Sequence, residues 1–144
     1  MCNEDVYICF KEVVLSKIRC IIRQNEYEKT PEELVRQKIL HWLIHSGIAK
    51  AHLHVEVGLG KWNIKSPERA DILISQPQYD LHKGEFWGIV ECKAPGENLE
   101  NALYQVQRYQ QSIRFHYVIL TDGDKIEVYD TQNSWEVLGE FPNW

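Results

Sequence analysis

The 144-residue chain has no apolar run approaching the roughly 20 residues that a membrane span requires. Its first residues, MCNEDVYICF, lack the basic start and apolar stretch of a secretory leader. A soluble, cytoplasmic protein without membrane contact is expected. None of the four cysteines, Cys2, Cys9, Cys20 and Cys92, stand as a C-x-x-C pair, so a zinc knuckle is not expected. A reducing cytoplasm also argues against disulfides. Cys2, Cys9 and Cys20 therefore read as small packed side chains or free thiols. His41 and His45 have the spacing of helical zinc ligands, but Trp42 stands where H-E-x-x-H needs its glutamate. They read as surface or satisfied histidines, as do His52 and His54. Excess positive charge is missing too. The formal net charge is −5, which disfavours a protein that grips polyanions through a broad basic face. An acidic pocket that bound cations neutralise is compatible with it. Repeats, low-complexity tracts and linkers are absent.

What is present is globular: 44% of residues are hydrophobic and 26% charged. The length fits one domain, 1–144, read as an N-terminal helix (1–29), a core (30–130) and a tail (131–144). Over residues 4–29, Val6, Cys9, Phe10, Val13, Val14, Ile18, Ile21 and Ile22 recur at helical spacing. Lys11, Lys17, Arg19 and Arg23 would then form a solvated face. Thr30-Pro31-Glu32-Glu33 is a capping box that starts a second helix, ending near Gly47. Strands are expected at 51–59, 69–75 and 85–93. The last is apolar almost throughout, as a strand covered on both faces should be. Ala94-Pro95-Gly96 breaks it, and a helix follows over 98–112. Strands at 115–120 and 125–130 flank the Asp122-Gly123 turn, and the tail supplies an edge strand. This order predicts an α/β (α+β) fold, a central mixed sheet flanked by helices.

Asp71 lies in the second of these strands, and Glu91 and Lys93 in the third. Residues two apart on a strand share a face, so Glu91 and Lys93 point together and Cys92 points away. If the two strands are neighbours, Asp71 lies beside Glu91. Their neighbours Ile72, Leu73, Ile74, Ile89 and Val90 are apolar, and burying two carboxylates together is costly without a cation. Lys93 is one such cation. A divalent ion with a preference for oxygen is a better one, and Mg²⁺ suits two acidic ligands completed by water. Ions held by Asp71 and Glu91 would make water nucleophilic and stabilise a leaving oxygen. Lys93 would orient or deprotonate that water, or stabilise developing negative charge. The bland alternative is a salt-bridge cluster at a sheet end.

The pattern Asp71…Glu91-Cys92-Lys93 resembles the PD-(D/E)XK nuclease superfamily. PEELVRQKILHWLI (31–44), RADILI (69–74), IVECKAP (89–95), ALYQVQRY (102–109) and YVILTDGDKIEVYD (117–130) are more closely similar to the N-terminal nuclease domain of type I restriction enzyme R subunits. Ala70 replaces the proline of the superfamily name. The resemblance implies a restriction-endonuclease-like core. It also implies Asp71 and Glu91 as metal ligands, a Gln-x-x-x-Tyr motif near the active site with Gln105 as a catalytic and Tyr109 as a substrate-binding candidate, and a catalytic helix acid at Glu33, with Glu32 as the fallback. Gln105 and Tyr109, four apart, share a helix face. Glu33 is equally explained by its capping box. Arg36 and Arg69 are candidates to meet phosphate, or to pair with local acids.

The expected function is an Mg²⁺-dependent endonuclease on DNA, with Mn²⁺ as a substitute and a homodimer as the form that cuts two strands. Without G-x-x-x-x-G-K-[ST], ATP use is not carried over from the R subunits. The alternatives are a silent nucleic-acid-binding or assembly module of the same fold, and a nuclease of RNA or single strands.

Overall fold

The computed structural model describes residues 16–144. Two short antiparallel strands come first, β1 (Lys17–Arg19) and β2 (Glu26–Glu28), followed by helix α1 (Pro31–His45). Then come β3 (Leu53–Gly58), β4 (Arg69–Ile74), β5 (Glu85–Cys92), helix α2 (Leu99–Tyr109), β6 (Arg114–Thr121), β7 (Ile126–Asp130) and β8 (Glu136–Leu138). The last six strands form one mixed sheet in sequential order, β3-β4-β5-β6-β7-β8. Among the described strands only β5 and β6 pair in parallel, and α2 is the crossover that parallel pairing demands.

Each face of the sheet carries its own apolar cluster. Val35, Ile39, Leu40 and Leu43 of α1 pack with Ile72, Ile74, Val90, Cys92 and Ile119. Leu99, Ala102, Val106 and Tyr109 of α2 pack with Leu73, Ile89, Val118 and Leu120. Adjacent residues of β4, β5 and β6 thus go to opposite faces, which explains why these strands are apolar nearly throughout. Burying such a side chain contributes about 1.5–3 kcal/mol.

The local signals around α1 are realised at both ends. The Thr30 hydroxyl accepts the Glu33 N–H at 3.1 Å, and Pro31 occupies the first turn. At the other end Gly47 takes φ +105°, and the Ile48 N–H reaches back to the Leu43 carbonyl, burying Ile48.

The helix expected over 4–29 is corrected where it can be seen. Residues 17–28 form a hairpin in which Ile18 pairs with Tyr27, and the Cys20 carbonyl accepts the Gln24 N–H as Gln24 turns through φ +61°. Cys20 is buried, and Ile21, Ile22 and Tyr27 pack against the α1-side cluster. The spacing of Ile18, Ile21 and Ile22 fits a strand and turn pressed on a core as well as a helix stripe, and β-branched residues are the weaker helix formers. Residues 4–15 of that expected helix, with Cys9 and Lys11, lie outside the described residues, as does Cys2. The strand expected in the tail is β8, an edge strand. No helix among the described residues is long and apolar enough to cross a membrane.

Candidate active site

The site forms where β5 ends. Strands β4 and β5 are antiparallel neighbours with Ile72 opposite Val90, so one further step sets Asp71 opposite Glu91. Both are buried, at 4% and 3% exposure. The β3–β4 register, Val55 with Ile72 and Val57 with Ala70, sets Glu56 opposite Asp71 on the other side. Three acidic residues on three neighbouring strands thus share one register position. Asp71 is fixed by the backbone: its Oδ2 accepts the Cys92 N–H at 2.8 Å.

Lys93 follows the last residue of β5 and stays tied to the sheet, its N–H donating to the Thr121 carbonyl at 2.9 Å. Its ammonium donates to Gln105 Oε1 of α2 at 2.9 Å. Gln105 Nε2 donates to the Tyr109 hydroxyl at 2.6 Å, and that hydroxyl donates to the Arg69 carbonyl at 3.0 Å. One chain of hydrogen bonds therefore runs from the ammonium to the start of β4. Tyr109, a substrate-binding candidate by sequence, is fully buried. It reaches the site by holding Gln105. Arg69 presents its carbonyl to this chain, while its exposed guanidinium donates to the Glu56 carbonyl at 3.1 Å.

Arg36 enters from α1. Its Nε donates to Asp71 Oδ1 at 3.2 Å and its Nη2 meets the same oxygen. The guanidinium also contacts Glu33, and Nη2 lies 2.7 Å from Glu56 Oε1 and 3.5 Å from Glu32 Oε1. Glu33 is consumed by Arg23, Gln37 and Arg36, and meets Asp71 only through Arg36. Glu32, one residue earlier and half-buried, is the helix acid with the more open carboxylate. Glu56 was missed by sequence reasoning. Its only signal is that it is the one acid within a strand of alternating apolar residues.

The electrostatics follow from burial. Desolvation first, and then the Asp71 charge, push the Glu91 carboxyl above its ordinary range, with Lys93 opposing. Burial and Asp71 likewise raise Glu32. For Arg36, burial alone would favour loss of the proton. Asp71, Glu56 and Glu33 more than reverse this, and it stays charged. Among the described residues, the buried Glu91 Oε2 has no hydrogen-bond partner, an expensive state for a carboxylate oxygen. Two oxygen donors, one of them orphaned, fit a hard cation that keeps water for its other positions. Among the described residues no three histidine, cysteine or acidic side chains converge as a ready-made metal cage.

Residues 31–142 match the family model described as the type I restriction enzyme R protein N terminus. The chain belongs to this family. The stretch matched to the R-protein N terminus holds Arg36, Asp71, Glu91, Lys93, Gln105 and Tyr109, and the β1–β2 hairpin with Arg23 precedes it. Among solved structures, the chain is similar to the type IIG restriction endonuclease BpuSI, with a TM-score of 0.45 and 18% identity. That match covers 69% of this chain and 11% of BpuSI, so the R-protein-like chain spans about a tenth of that enzyme's length. A search of the curated proteins returns no match.

Proposed function

We propose that the chain is a divalent-cation-dependent endonuclease of the PD-(D/E)XK kind, acting on DNA. The observation that carries this reading is the buried pair Asp71 and Glu91, with Glu91 Oε2 unpartnered, beside an ammonium aimed by Gln105. Asp71 and Glu91 would hold the cation, Mg²⁺ or Mn²⁺. When bound it would supply Lewis-acid stabilisation and a more acidic water. Lys93 would orient the attacking water and neutralise charge developing on the phosphate. Gln105 and Tyr109 would fix where that ammonium points, a contribution of the positioning kind. ATP has no role in this reading. Cutting both strands of a duplex needs two such centres, so a homodimer is proposed, which size-exclusion chromatography tests.

A second reading, a DNA-binding or assembly module with a silent centre, is favoured by one observation. Arg36 already neutralises Asp71. The deciding experiment incubates purified protein with plasmid and with single-stranded DNA, under Mg²⁺, Mn²⁺ or EDTA, beside Lys93→Ala and Glu91→Gln. The nuclease reading expects cation-dependent cleavage that both substitutions abolish. Cleavage surviving either one overturns the site. DNA binding without cleavage by folded wild type favours the silent module.

A further inference from the structure

Arg36 sits on the oxygen of Asp71 that a bound cation would use. Its Nε and Nη2 both address Oδ1, while Oδ2 is already committed to the Cys92 N–H. The guanidinium also has other carboxylates within reach: Glu33, Glu56 and, at the margin, Glu32. Glu56 is placed there by an unusual backbone. It lies within β3 between residues in regular register, yet takes φ +55°. A glutamate in the left-handed region is strained, and such strain gathers where a fold needs a side chain at an otherwise unreachable position. Here the strained residue carries a carboxylate oxygen 2.7 Å from Nη2 of Arg36.

We propose that Arg36 is a built-in counter-ion that competes with the divalent cation for Asp71, and that Glu56 and Glu33 are the seat that holds its guanidinium once it leaves. The inference rests on the reading of Asp71 and Glu91 as the cation's carboxylates. Without a cation, Asp71 would be a buried anion beside another carboxyl group, and Arg36 removes that cost. With a cation, a guanidinium on Oδ1 would repel it and occupy its lone pairs. The two occupancies oppose each other, and by linkage each weakens the other by the same factor. Glu91 meets no arginine among the described residues: its carboxyl faces Asp71, and its Oε2 is orphaned. The two carboxylates of the pair are therefore unequal: one is open, and one is guarded. Arg36 is a positioning residue here, with no contact to substrate required of it.

The test uses the full chain. Mn²⁺ affinity is measured by calorimetry for wild type, Arg36→Gln, Arg23→Gln and Glu91→Gln. Arg36→Gln is expected to bind Mn²⁺ about tenfold more tightly, within the usual span of such couplings. Arg23→Gln removes a positive charge from the same network, through Glu33, without touching Asp71. It is expected to change affinity less than twofold. Equal tightening by both variants would mean a general charge effect and overturn the proposal, as would unchanged affinity in Arg36→Gln. Glu91→Gln is expected to bind no Mn²⁺, which locates the titrated site. Absence of wild-type binding to Mn²⁺ or Mg²⁺ would sink the metal reading itself, a result distinct from wild-type binding that Arg36→Gln leaves unaltered. Should Arg36→Gln fail to fold, the Arg36 Nε–H resonance of ¹⁵N-labelled wild type is followed during Mg²⁺ titration. It is expected to move as its bond to Asp71 is lost, and a resonance that stays fixed at saturation would overturn the exchange.

Discussion

Lys93 and Gln105 are joined at 2.9 Å between the end of β5 and the middle of α2. In the proposed mechanism this bond decides where the ammonium points. Gln105→Ala is expected to lower the rate of DNA cleavage by roughly 100-fold, the scale of a misplacement of about 1 Å. Gln105 is half-buried, so the melting temperature should change little. Single-turnover cleavage and a thermal melt on one sample would check both halves, and an unchanged rate would remove Gln105 from the machinery.

Tyr109→Phe keeps the buried ring and deletes only the hydroxyl that accepts from Gln105 and donates to the Arg69 carbonyl. Leaving such groups without a partner is expected to cost about 1–3 kcal/mol in chemical denaturation. Cleavage should fall in the same direction as in Gln105→Ala.

Glu33→Ala would remove the carboxylate that holds Arg23 and one of several that hold Arg36. Losing these charge-assisted hydrogen bonds is expected to cost about 1.5–3 kcal/mol. Glu68→Ala, which breaks the more exposed pair with Arg108, should cost under about 1 kcal/mol. Urea denaturation of the two variants tests the contrast, and equal losses would contradict the assigned burial.

At Glu56 two substitutions separate strain from charge. Both Glu56→Ala and Glu56→Gly lose the contact with Arg36, but only glycine relaxes at φ +55°. The glycine variant should be the more stable by about 1–2 kcal/mol, the usual cost of a left-handed residue. A more stable alanine variant would show the backbone there to be unstrained.

Glu91 gives the cation-free protein a dependence on pH. Its carboxyl is raised from the ordinary value of 4.5, so the folded state holds its proton more tightly than the unfolded chain does. The unfolded chain releases that proton first, and stability falls as pH rises above 4.5 toward the raised folded value. Glu91→Gln, neutral at every pH, should flatten this slope in EDTA. It should therefore melt higher than wild type near pH 8 and close to it near pH 4.5. Parallel curves for the two proteins would show that Glu91 is ionised in the fold.

Much of the sheet was legible because its strands carry strong local signals. The apolar run of β5, the Asp122-Gly123 turn and the Ala-Pro-Gly break at residues 94–96 placed β5, α2, β6 and β7 within a few residues. Asp71 beside Glu91 needed only the pairing of β4 with β5, which the structure shows. The hairpin over 17–28 was misread, because the same isoleucine spacing serves a helix stripe and a turn buried on a core. Half of the capping box was also misleading. Thr30 accepts from Glu33, but the Thr30 N–H goes to the Glu28 carbonyl and the Glu33 carboxylate goes to arginines. The bond from Arg36 to Asp71 spans 35 residues, and the positive φ of Glu56 is a backbone state that no side-chain pattern announces.

Asp71 accepts the Cys92 amide where the strand pairing of β4 with β5 has run out, so a side chain stands in for one rung of the ladder. If the proposed nuclease reading holds, this bears on how an inactive variant should be made for trapping DNA complexes. Replacing Asp71 by alanine would loosen the end of the central strand along with the chemistry, and any complex so captured would sit on altered scaffolding. Asparagine at 71 retains an oxygen for that amide. Glu91→Gln, at the partnerless oxygen, is expected to disable the proposed centre without removing a hydrogen bond of the sheet.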